Sequence, residues 1–229
     1  MKNYLITLLS VILLISCASE NEQKGLDQIA TVYHAKVAFS KGFHTNTNHR
    51  AITNFTIKVS DCKMMDTMKF SQASANMARI TYHNFTAKEK KKYDEINVQL
   101  IKEKDSAYFS FDRNIISLID KKASTAIAFL ESFVKHDFSK LDKLIDKNYI
   151  RTTTFGSDMK KYITNIEKTK GRINKYQIYT IGETQDKNAK ISMIRYKGEF
   201  QFSKGKKAAF FVNINVAEGK NKIVGYNLN

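Results

Sequence analysis

The chain opens with a short apolar segment behind a basic residue. Lys2 precedes residues 5–15, which are apolar except for Thr7 and Ser10. A helix needs about 20 apolar residues to cross a bilayer, so this run is too short for a permanent membrane span. A basic start followed by roughly 7–15 apolar residues is instead typical of a secretory signal peptide. The pattern therefore predicts a signal peptide over residues 1–16.

The end of this segment carries a more specific pattern. Its last residues are Leu14, Ile15, Ser16 and Cys17. They resemble the lipobox of bacterial lipoproteins, in which an aliphatic residue stands two or three places before a small residue and then cysteine. The resemblance implies that the chain is cut before Cys17, which carries acyl chains on its sulfur and usually on its new amine. The alternative is an ordinary secretory signal with a chance cysteine.

Lipidation would hold the mature chain on a membrane without a transmembrane helix. Each buried CH₂ contributes about 0.8 kcal/mol, so two or three acyl chains anchor a protein where one is marginal. Ala18 stands where lipoproteins retained in the inner membrane carry Asp, so the resemblance implies the outer membrane, at its periplasmic face or at the cell surface. Residues 17–24 are predicted to be the lipidated cysteine and a solvated tether.

Alternating and helical patterns together predict a small α+β unit over residues 25–119. Residues 32–39 and 52–59 have the character of strands, with a polar loop over residues 42–50 between them. Apolar spacing favours a helix over residues 64–82. Thr86 followed by Glu89 is a capping-box pattern that predicts a short helical turn. Residues 96–101 and 108–112 alternate as an antiparallel pair, which makes the unit ββαββ-like.

The second half, residues 120–229, has a clearer pattern. Apolar residues at i, i+3, i+4 and i+7 predict a long amphipathic helix from Ala123 to Val134, and two further helices over residues 138–145 and 159–171. Strands are predicted over residues 173–182, 190–202, 208–216 and 223–228, joined by turns typical of hairpins. The order is three helices followed by a four-stranded antiparallel meander.

This order of elements resembles the NTF2-like fold, in which a curved sheet wraps on a helix to form a cone. Residues 129–141 resemble the opening helix and elbow of that family, and residues 222–226 resemble its last strand. The resemblance covers the second half only and implies a cone that can enclose a pocket. Members of the family include enzymes, small-ligand binders and structural modules, so the fold alone does not give the function.

Composition and charge bear on compartment and partners. With 42% apolar residues, 15 Phe and 11 Tyr, the chain can form packed cores and is not of a disordered class. The net charge of +16 is concentrated in the second half: 15 Lys and Arg face 11 Asp and Glu in residues 18–118, whereas 22 face 11 in residues 119–229. Such an excess attracts anionic partners. A composition rich in Lys, Asn and Ile, without Pro or Trp, is equally typical of AT-rich coding. Nucleic acid is not expected as a partner of a secreted lipoprotein.

The cysteine count limits redox chemistry. The chain has two cysteines, and lipidation of Cys17 would leave Cys62 as the only thiol. No intramolecular disulfide could then form, even in an oxidising compartment. A buried, inert Cys62 is the expected case, and a reactive thiol or an intermolecular bridge is the alternative.

Few groups in the sequence suit catalysis. Enzymes of the NTF2-like fold typically use an Asp–His pair or a Tyr–Asp constellation, and the second half has a single histidine, His136, beside Asp137 in a predicted turn. Tyr196, Arg195 and Asp158 are further candidates, although a satisfied or solvent-facing role is favoured for them. The chain has no nucleophile elbow, glycine-rich phosphate loop or paired-carboxylate motif. We therefore expect no catalytic residue and no cofactor.

A metal site is equally unexpected. His44 and His49 flank a loop of Thr and Asn residues, and two imidazoles five residues apart could contribute to a metal site. A structural zinc ion needs about four ligands, and no cysteine or carboxylate lies within that loop. The pattern favours a solvated hairpin loop without a metal ion.

Two basic clusters are candidates for contact with an anionic surface. The first lies on a predicted helix and the second in a predicted hairpin turn; their members are Lys88, Lys90, Lys91 and Lys92, and Lys204, Lys206 and Lys207. A basic run of this kind can bind anionic lipid or an acidic partner. The simpler interpretation of both clusters is a hydrated, solubilising face.

Three functions are compatible with the sequence. The leading hypothesis is a non-enzymatic, membrane-tethered envelope lipoprotein that acts as a binding or assembly module, with a protein or an anionic envelope component as partner. It predicts a closed core and an exposed patch between the halves or on the sheet. The alternative is a carrier or sensor of a small apolar ligand, held in the cone by Phe200, Phe202, Phe210, Val212 and Tyr226. An NTF2-like enzyme is the third hypothesis, and it requires buried titratable groups in a pocket.

Overall fold

The computed structural model describes residues 17–45, 51–102, 105–186 and 190–228. These ranges contain six α-helices and eight strands, and the strands form two four-stranded sheets. The mixed α+β class predicted from the sequence is confirmed. The predicted signal peptide, residues 1–16, lies outside the described residues. Within the described ranges, no helix has the length and apolar character needed to cross a membrane.

The first sheet follows the predicted ββαββ order, with one additional helix in front. The elements are α1 (Glu20–Tyr33), β1 (Lys36–Thr45), β2 (Ala51–Ser60), a 3₁₀ helix (Lys63–Thr67), α2 (Phe70–Asn84), α3 (Ala87–Lys92), β3 (Glu95–Lys102) and β4 (Asp105–Asp112). The strand order is β1-β2-β3-β4, and only the β2–β3 pair is parallel. A parallel pair needs a crossover connection, which α2 and α3 provide. The capping box of Thr86 and Glu89 is confirmed at the start of α3.

The helix α1 corrects two predictions. The predicted solvated tether is wrong from Glu20 onward, because Ser19 caps a helix there and Glu22 is buried inside it. The predicted first strand also begins too early, since Val32 and Tyr33 are the last buried positions of α1. Buried residues recur along α1 at helical spacing, which the local strand character of residues 32–39 concealed.

Two smaller predictions also change. The strand β1 continues through Gly42 to Thr45, where it pairs with Ala51, so the predicted polar loop is shorter by four residues at its start. Residues 46–50 of that loop lie outside the described residues. The single helix predicted over residues 64–82 is divided into the 3₁₀ helix and α2, with Met68 and Lys69 between them in an extended conformation.

The second sheet is an antiparallel meander, as predicted. The preceding helices are α4 (Arg113–Lys135), α5 (Leu141–Leu144) and α6 (Phe155–Lys170), and the strands are β5 (Ile173–Asp186), β6 (Ile191–Phe202), β7 (Lys207–Asn215) and β8 (Ile223–Leu228). The strand order is β5-β6-β7-β8. The helix α6 ends where Gly171 takes a positive φ of 84°, a conformation that favours glycine.

The two halves share a packed core. The helix α4 runs without interruption through the predicted boundary between residues 119 and 120. Buried apolar residues from both sheets and from the helices between them belong to one contiguous cluster. At the contact between the halves, the Tyr33 hydroxyl donates to the Tyr179 carbonyl at 2.6 Å, and Asn76 Nδ2 donates to the Ile178 carbonyl at 2.8 Å. The division into domains at residue 119 therefore has a continuous helix, and not a linker, at its boundary.

Candidate functional site

The residues predicted to line a ligand-binding cone lie in the core of the second half. Phe200, Phe202, Phe210 and Val212 are each no more than 4% exposed. The ring centroids of Phe200 and Phe210 are 4.9 Å apart, a distance typical of packed aromatic pairs. These side chains pack against one another and against the helices, and they do not surround an open cavity.

Tyr226 has a similar position. Its ring lies 5.3 Å from that of Phe155 and 5.8 Å from that of Phe129, so it packs against both α6 and α4. One side of Tyr226 borders a shallow surface depression with Tyr162 and Leu228. The Tyr162 hydroxyl donates to the Leu228 carbonyl at 2.6 Å, so these two polar atoms of the depression are paired with each other.

The catalytic candidates Tyr196, Arg195 and Asp158 are not brought together. The buried Tyr196 donates its hydroxyl hydrogen bond to the Ile119 carbonyl at 2.7 Å. Arg195, the neighbouring residue on the strand, donates from Nε to Asn213 Oδ1 at 2.8 Å, on the opposite face of the sheet. Asp158 lies in the first turn of α6, where it accepts a hydrogen bond from its local neighbours. Tyr196 and Arg195 thus bond on opposite faces of β6 and Asp158 bonds within α6, so the three groups do not form one site.

The candidate pair of His136 and Asp137 also does not form. His136 has a positive φ of 54° at the end of α4, and its Nε2 lies 2.9 Å from Glu167 Oε2 on α6. Asp137 accepts instead from the hydroxyl and the amide of Ser139. Those hydrogen bonds hold the pKa of Asp137 below its usual range. The two side chains therefore fix a corner between helices.

The histidine pair predicted around the first loop is described only in part. His44 is an exposed residue of β1, and His49 lies outside the described residues. Within the described ranges, no group of three or more histidine, cysteine, aspartate or glutamate side chains could hold a metal ion. Cys62 is half-buried, and burial raises the pKa of its thiol.

The two basic clusters lie on different elements. In the hairpin between β6 and β7, Lys207 Nζ is 3.1 Å from a Glu199 carboxylate oxygen, which offsets part of that cluster's charge. The Lys204 ammonium lies 3.5 Å from the Lys168 carbonyl. In the other cluster, Lys88 and Lys92 on α3 line a surface depression together with Cys17. Only the α3 cluster is thus adjacent to the predicted lipidation site.

A cleft of about 420 Å³ lies between the two halves of the molecule. One wall comes from α2, the end of β4 and the start of α4, and the other from β5, β6 and Val216, the residue after β7. The described residues that line it are Ser71, Gln72, Ala75, Phe111, Ile115, Leu118, Ile119, Ile181, Gly182, Glu183, Ile194 and Val216. Most of this surface is apolar.

The start of α4 explains why aliphatic side chains remain exposed in this cleft. Ile116 and Ile119 point into the core, and they are at most 9% exposed. Ile115 and Leu118 widen the same apolar stripe beyond the core, and they are 53% and 38% exposed. The apolar stripe of α4 is wider than the surface that α4 packs against, so the residues at the edge of the stripe stay exposed. The mouth of the cleft is therefore aliphatic.

The opposite wall brings polar groups to the rim. Gly182 leaves room for the Gln72 side chain of α2, since a Cβ at this position would lie 2.8 Å from Gln72 Nε2. Glu183 follows at the exposed edge of the strand, and it is the only ionisable side chain among the described lining residues. The cleft can thus accept an apolar group and offer hydrogen bonds at its rim, but its described lining has no acid–base pair.

A second group of polar residues, which the sequence analysis did not single out, joins α2 to α4. His83 Nδ1 lies 3.1 Å from Asp120 Oδ1, and the buried Arg79 lies 3.6 Å from the same oxygen. His83 and Arg79 border a smaller depression with Tyr176, and burial raises the pKa of Tyr176 to about 12. The described residues around this depression include no serine, threonine or cysteine that could act as a nucleophile. The cluster is best explained as an ion pair network that stabilises the packing of α2 against α4.

The leading hypothesis predicts an exposed patch between the halves or on the sheet, but the sequence analysis did not identify the cleft or its residues, although one pattern pointed to it. The apolar residues 115, 116, 118 and 119 extend the predicted helix of the second half toward its start, and they make its stripe too wide for a single buried face. Which of them would be exposed depends on where α2 and β5 pack. Comparison of the chain with protein-family models, with curated proteins and with solved structures gave no match.

Proposed function

We propose that this protein is a lipid-anchored lipoprotein of the bacterial envelope that acts as a binding module and holds a partner protein at the cleft between its halves. The observation that carries the proposal is the exposure of Ile115 and Leu118 beside a buried apolar floor. Contiguous exposed apolar surface with a polar rim is typical of interaction sites. The partner's expected contribution is one or two large apolar side chains that fill the cleft.

The lipid anchor rests on the N-terminal sequence. Leu14, Ile15, Ser16 and Cys17 match the lipobox pattern, and Ala18 favours the outer membrane. The structure contributes one supporting fact, namely that Cys17 is exposed where the described chain begins. Its sulfur is therefore free of packing that would oppose acylation.

The second half supports a non-enzymatic role for an NTF2-like domain. The order α4, α5, α6 followed by the β5–β8 meander agrees with that fold. Its interior is filled by Phe129, Phe133, Phe200 and Phe210, whose rings contact one another in sequence along the core. A filled interior favours a structural or binding role over a carrier that uses the cone.

A small apolar ligand in the cleft is the second candidate. The volume of about 420 Å³ falls within the range of roughly 300–1,000 Å³ that is usual for small-molecule sites. This candidate keeps the carrier hypothesis but moves its site from the second-half cone to the cleft. The two candidates differ in the mass of the bound species, which is that of a protein in the first and that of a small molecule in the second. This mass can be measured.

The test combines substitution of the cleft mouth with native mass spectrometry of protein extracted gently from its own membranes. Ile115→Gln with Leu118→Gln removes about 1–2 kcal/mol of apolar burial per residue, or about 2–4 kcal/mol together, so we expect the partner to bind roughly 30- to 1,000-fold more weakly. Phe43→Gln is the matched control, because Phe43 is 76% exposed and lies outside the cleft. A photoreactive residue at position 118 would identify the contact directly.

Each outcome of this experiment distinguishes between the candidate functions. Loss of a bound protein in the double variant, but not in the control, supports the proposal. A retained small-molecule mass that disappears in the double variant favours the carrier. Equal binding by all three forms would exclude the cleft as the site. The intact mass of the same sample measures acylation of Cys17 independently, and an unmodified Cys17 would contradict the lipid anchor.

A further inference from the structure

The chain enters the folded body almost immediately after Cys17. Ser19 caps α1, since its hydroxyl accepts from the Glu22 amide and its own amide donates to Glu22 Oε2 at 2.7 Å. The Ser19 hydroxyl also donates to the Glu89 carboxylate on α3. Lys41 Nζ on β1 donates to the Cys17 carbonyl at 3.2 Å. Residues 17–19 are thus attached to three elements of the first half.

This attachment leaves no flexible linker between a lipid on Cys17 and the folded body. Two residues separate Cys17 from the first residue of α1, and an extended residue spans at most about 3.6 Å. Acyl chains on Cys17 would therefore bring the folded body into contact with the lipid head groups. The surface around Cys17 would face the membrane.

That surface is basic on the side of α3. Lys88 and Lys92, one helical turn apart, line the depression around Cys17, and Lys91 is exposed on the same short helix. The side chains of Lys90 and Lys92 lie over the rings of Tyr82 and Tyr93.

The acidic groups at this surface offset only part of the charge of the α3 lysines. Glu22 forms an ion pair with Lys41 at 2.7 Å, so these two charges compensate each other. Glu89 is held by the capping box of α3, and Glu20 is exposed on the first turn of α1. Four lysines face one glutamate within α3 itself.

We propose that Lys88, Lys91 and Lys92 bind the phosphates of anionic phospholipids in the membrane that anchors Cys17. Two pieces of evidence carry the assignment: the point where the chain reaches Cys17, and the positive charge beside it. A lipid anchor combined with a basic surface binds a membrane more strongly and in a more defined orientation than either alone. The inference rests on the proposed lipid anchor, and it assigns a membrane-facing side to the molecule.

The test uses the full mature chain with Cys17→Ser, so that the basic surface is measured without the lipid. Binding to vesicles of equal parts phosphatidylglycerol and phosphatidylethanolamine is compared with binding to vesicles of phosphatidylcholine, by co-sedimentation at low and at physiological salt. Each lysine near an anionic surface is expected to contribute about a fivefold increase in binding. The variant Lys88→Gln, Lys91→Gln, Lys92→Gln is therefore expected to bind anionic vesicles on the order of 100-fold more weakly at low salt.

The second basic cluster provides the matched control. Lys204→Gln, Lys206→Gln and Lys207→Gln remove the same formal charge from the β6–β7 hairpin, which does not line the depression around Cys17. The control is expected to keep most of the binding. Equal losses in both variants would show that total charge alone matters, and they would overturn the assignment to α3. Undiminished binding by the α3 variant would overturn it as well. An unacylated Cys17 in the native protein would instead contradict the proposed lipid anchor, and this result is independent of the vesicle measurement.

Discussion

At the scale of single residues, Glu22 is a buried carboxylate whose hydrogen bonds connect several elements of the first half. Its carboxylate is 2% exposed, and it accepts hydrogen bonds from Ser19, from the Tyr93 hydroxyl at 2.7 Å and from Lys41 at 2.7 Å. Burial raises the pKa of Glu22, but the hydrogen bonds from Lys41, Tyr93 and Ser19 outweigh burial and hold it below the ordinary value of 4.5. The ionised carboxylate thus ties α1 to β1 and to the end of α3.

We predict that Glu22→Gln lowers the free energy of unfolding by about 2–4 kcal/mol, because it leaves Lys41 without its partner. A carboxyl whose pKa is lower in the folded state contributes stability above its unfolded pKa and loses it as the pH falls through the folded pKa. The wild type should therefore lose more stability than the variant as the pH falls below about 5.

Urea unfolding followed by circular dichroism at several pH values measures both effects. Glu20→Gln is the control for this prediction, because Glu20 is an exposed carboxylate in the same helical turn. If the free energy of unfolding falls equally with decreasing pH in the wild type and in Glu22→Gln, the pH dependence does not come from Glu22.

At the scale of elements, the second sheet depends on a bulge that alternation does not reveal. The pairing of β5 with β6 shifts register between Ile178 and Thr180, opposite Gly198. The bulge directs the Tyr179 carbonyl to the Tyr33 hydroxyl of α1. A Cβ on Gly198 would lie 1.8 Å from the Gln177 carbonyl oxygen, so the strands can approach here only with glycine.

We predict that Gly198→Ala destabilises the protein by about 2–4 kcal/mol, since the strands must separate or the bulge must move. Gly42→Ala on β1 should change stability by less than about 1 kcal/mol, because its nearest neighbour would be the movable Asn54 side chain at 3.3 Å. Thermal unfolding of both variants compares the two positions. A Gly198→Ala variant as stable as Gly42→Ala would show that the register can shift without cost.

At the scale of the whole molecule, the first half and the second half meet through a buried hydrogen-bond group. The fully buried Tyr33 hydroxyl donates to the Tyr179 carbonyl and accepts from Asn76 Nδ2 at 2.9 Å. The apolar core around this group is continuous between the two sheets, and α4 connects them as one helix. We infer that the halves unfold together.

Replacement of the hydroxyl tests this coupling. Tyr33→Phe removes the hydroxyl that donates to the Tyr179 carbonyl and accepts from Asn76 Nδ2, so we expect a loss of about 1–3 kcal/mol of unfolding free energy. Hydrogen exchange measured by mass spectrometry should show equal loss of protection in β3 and in β7. Tyr108→Phe is the control, because Tyr108 is 59% exposed. A loss confined to residues before α4 would instead favour two independent domains, as predicted from the sequence.

Local periodicity was sufficient for the α+β class, for the β5–β8 meander and for the capping box of α3. Each of these is encoded by residues within a few positions of one another, so the pattern of neighbouring side chains was enough to predict them. The pattern before Cys17 that resembles a lipobox is local in the same way, and it is the basis of the proposed lipid anchor.

The cleft, the buried Glu22 and the meeting of His83 with Asp120 required the folded chain. Glu22 and Tyr93 are 71 residues apart, and His83 and Asp120 are 37 apart. The exposure of Ile115 and Leu118 depends on where α2 and β5 pack, and not on their own neighbours in sequence. Helical spacing places a side chain on a face, but only the surrounding elements decide whether that face is covered, and a binding site forms where they leave it open.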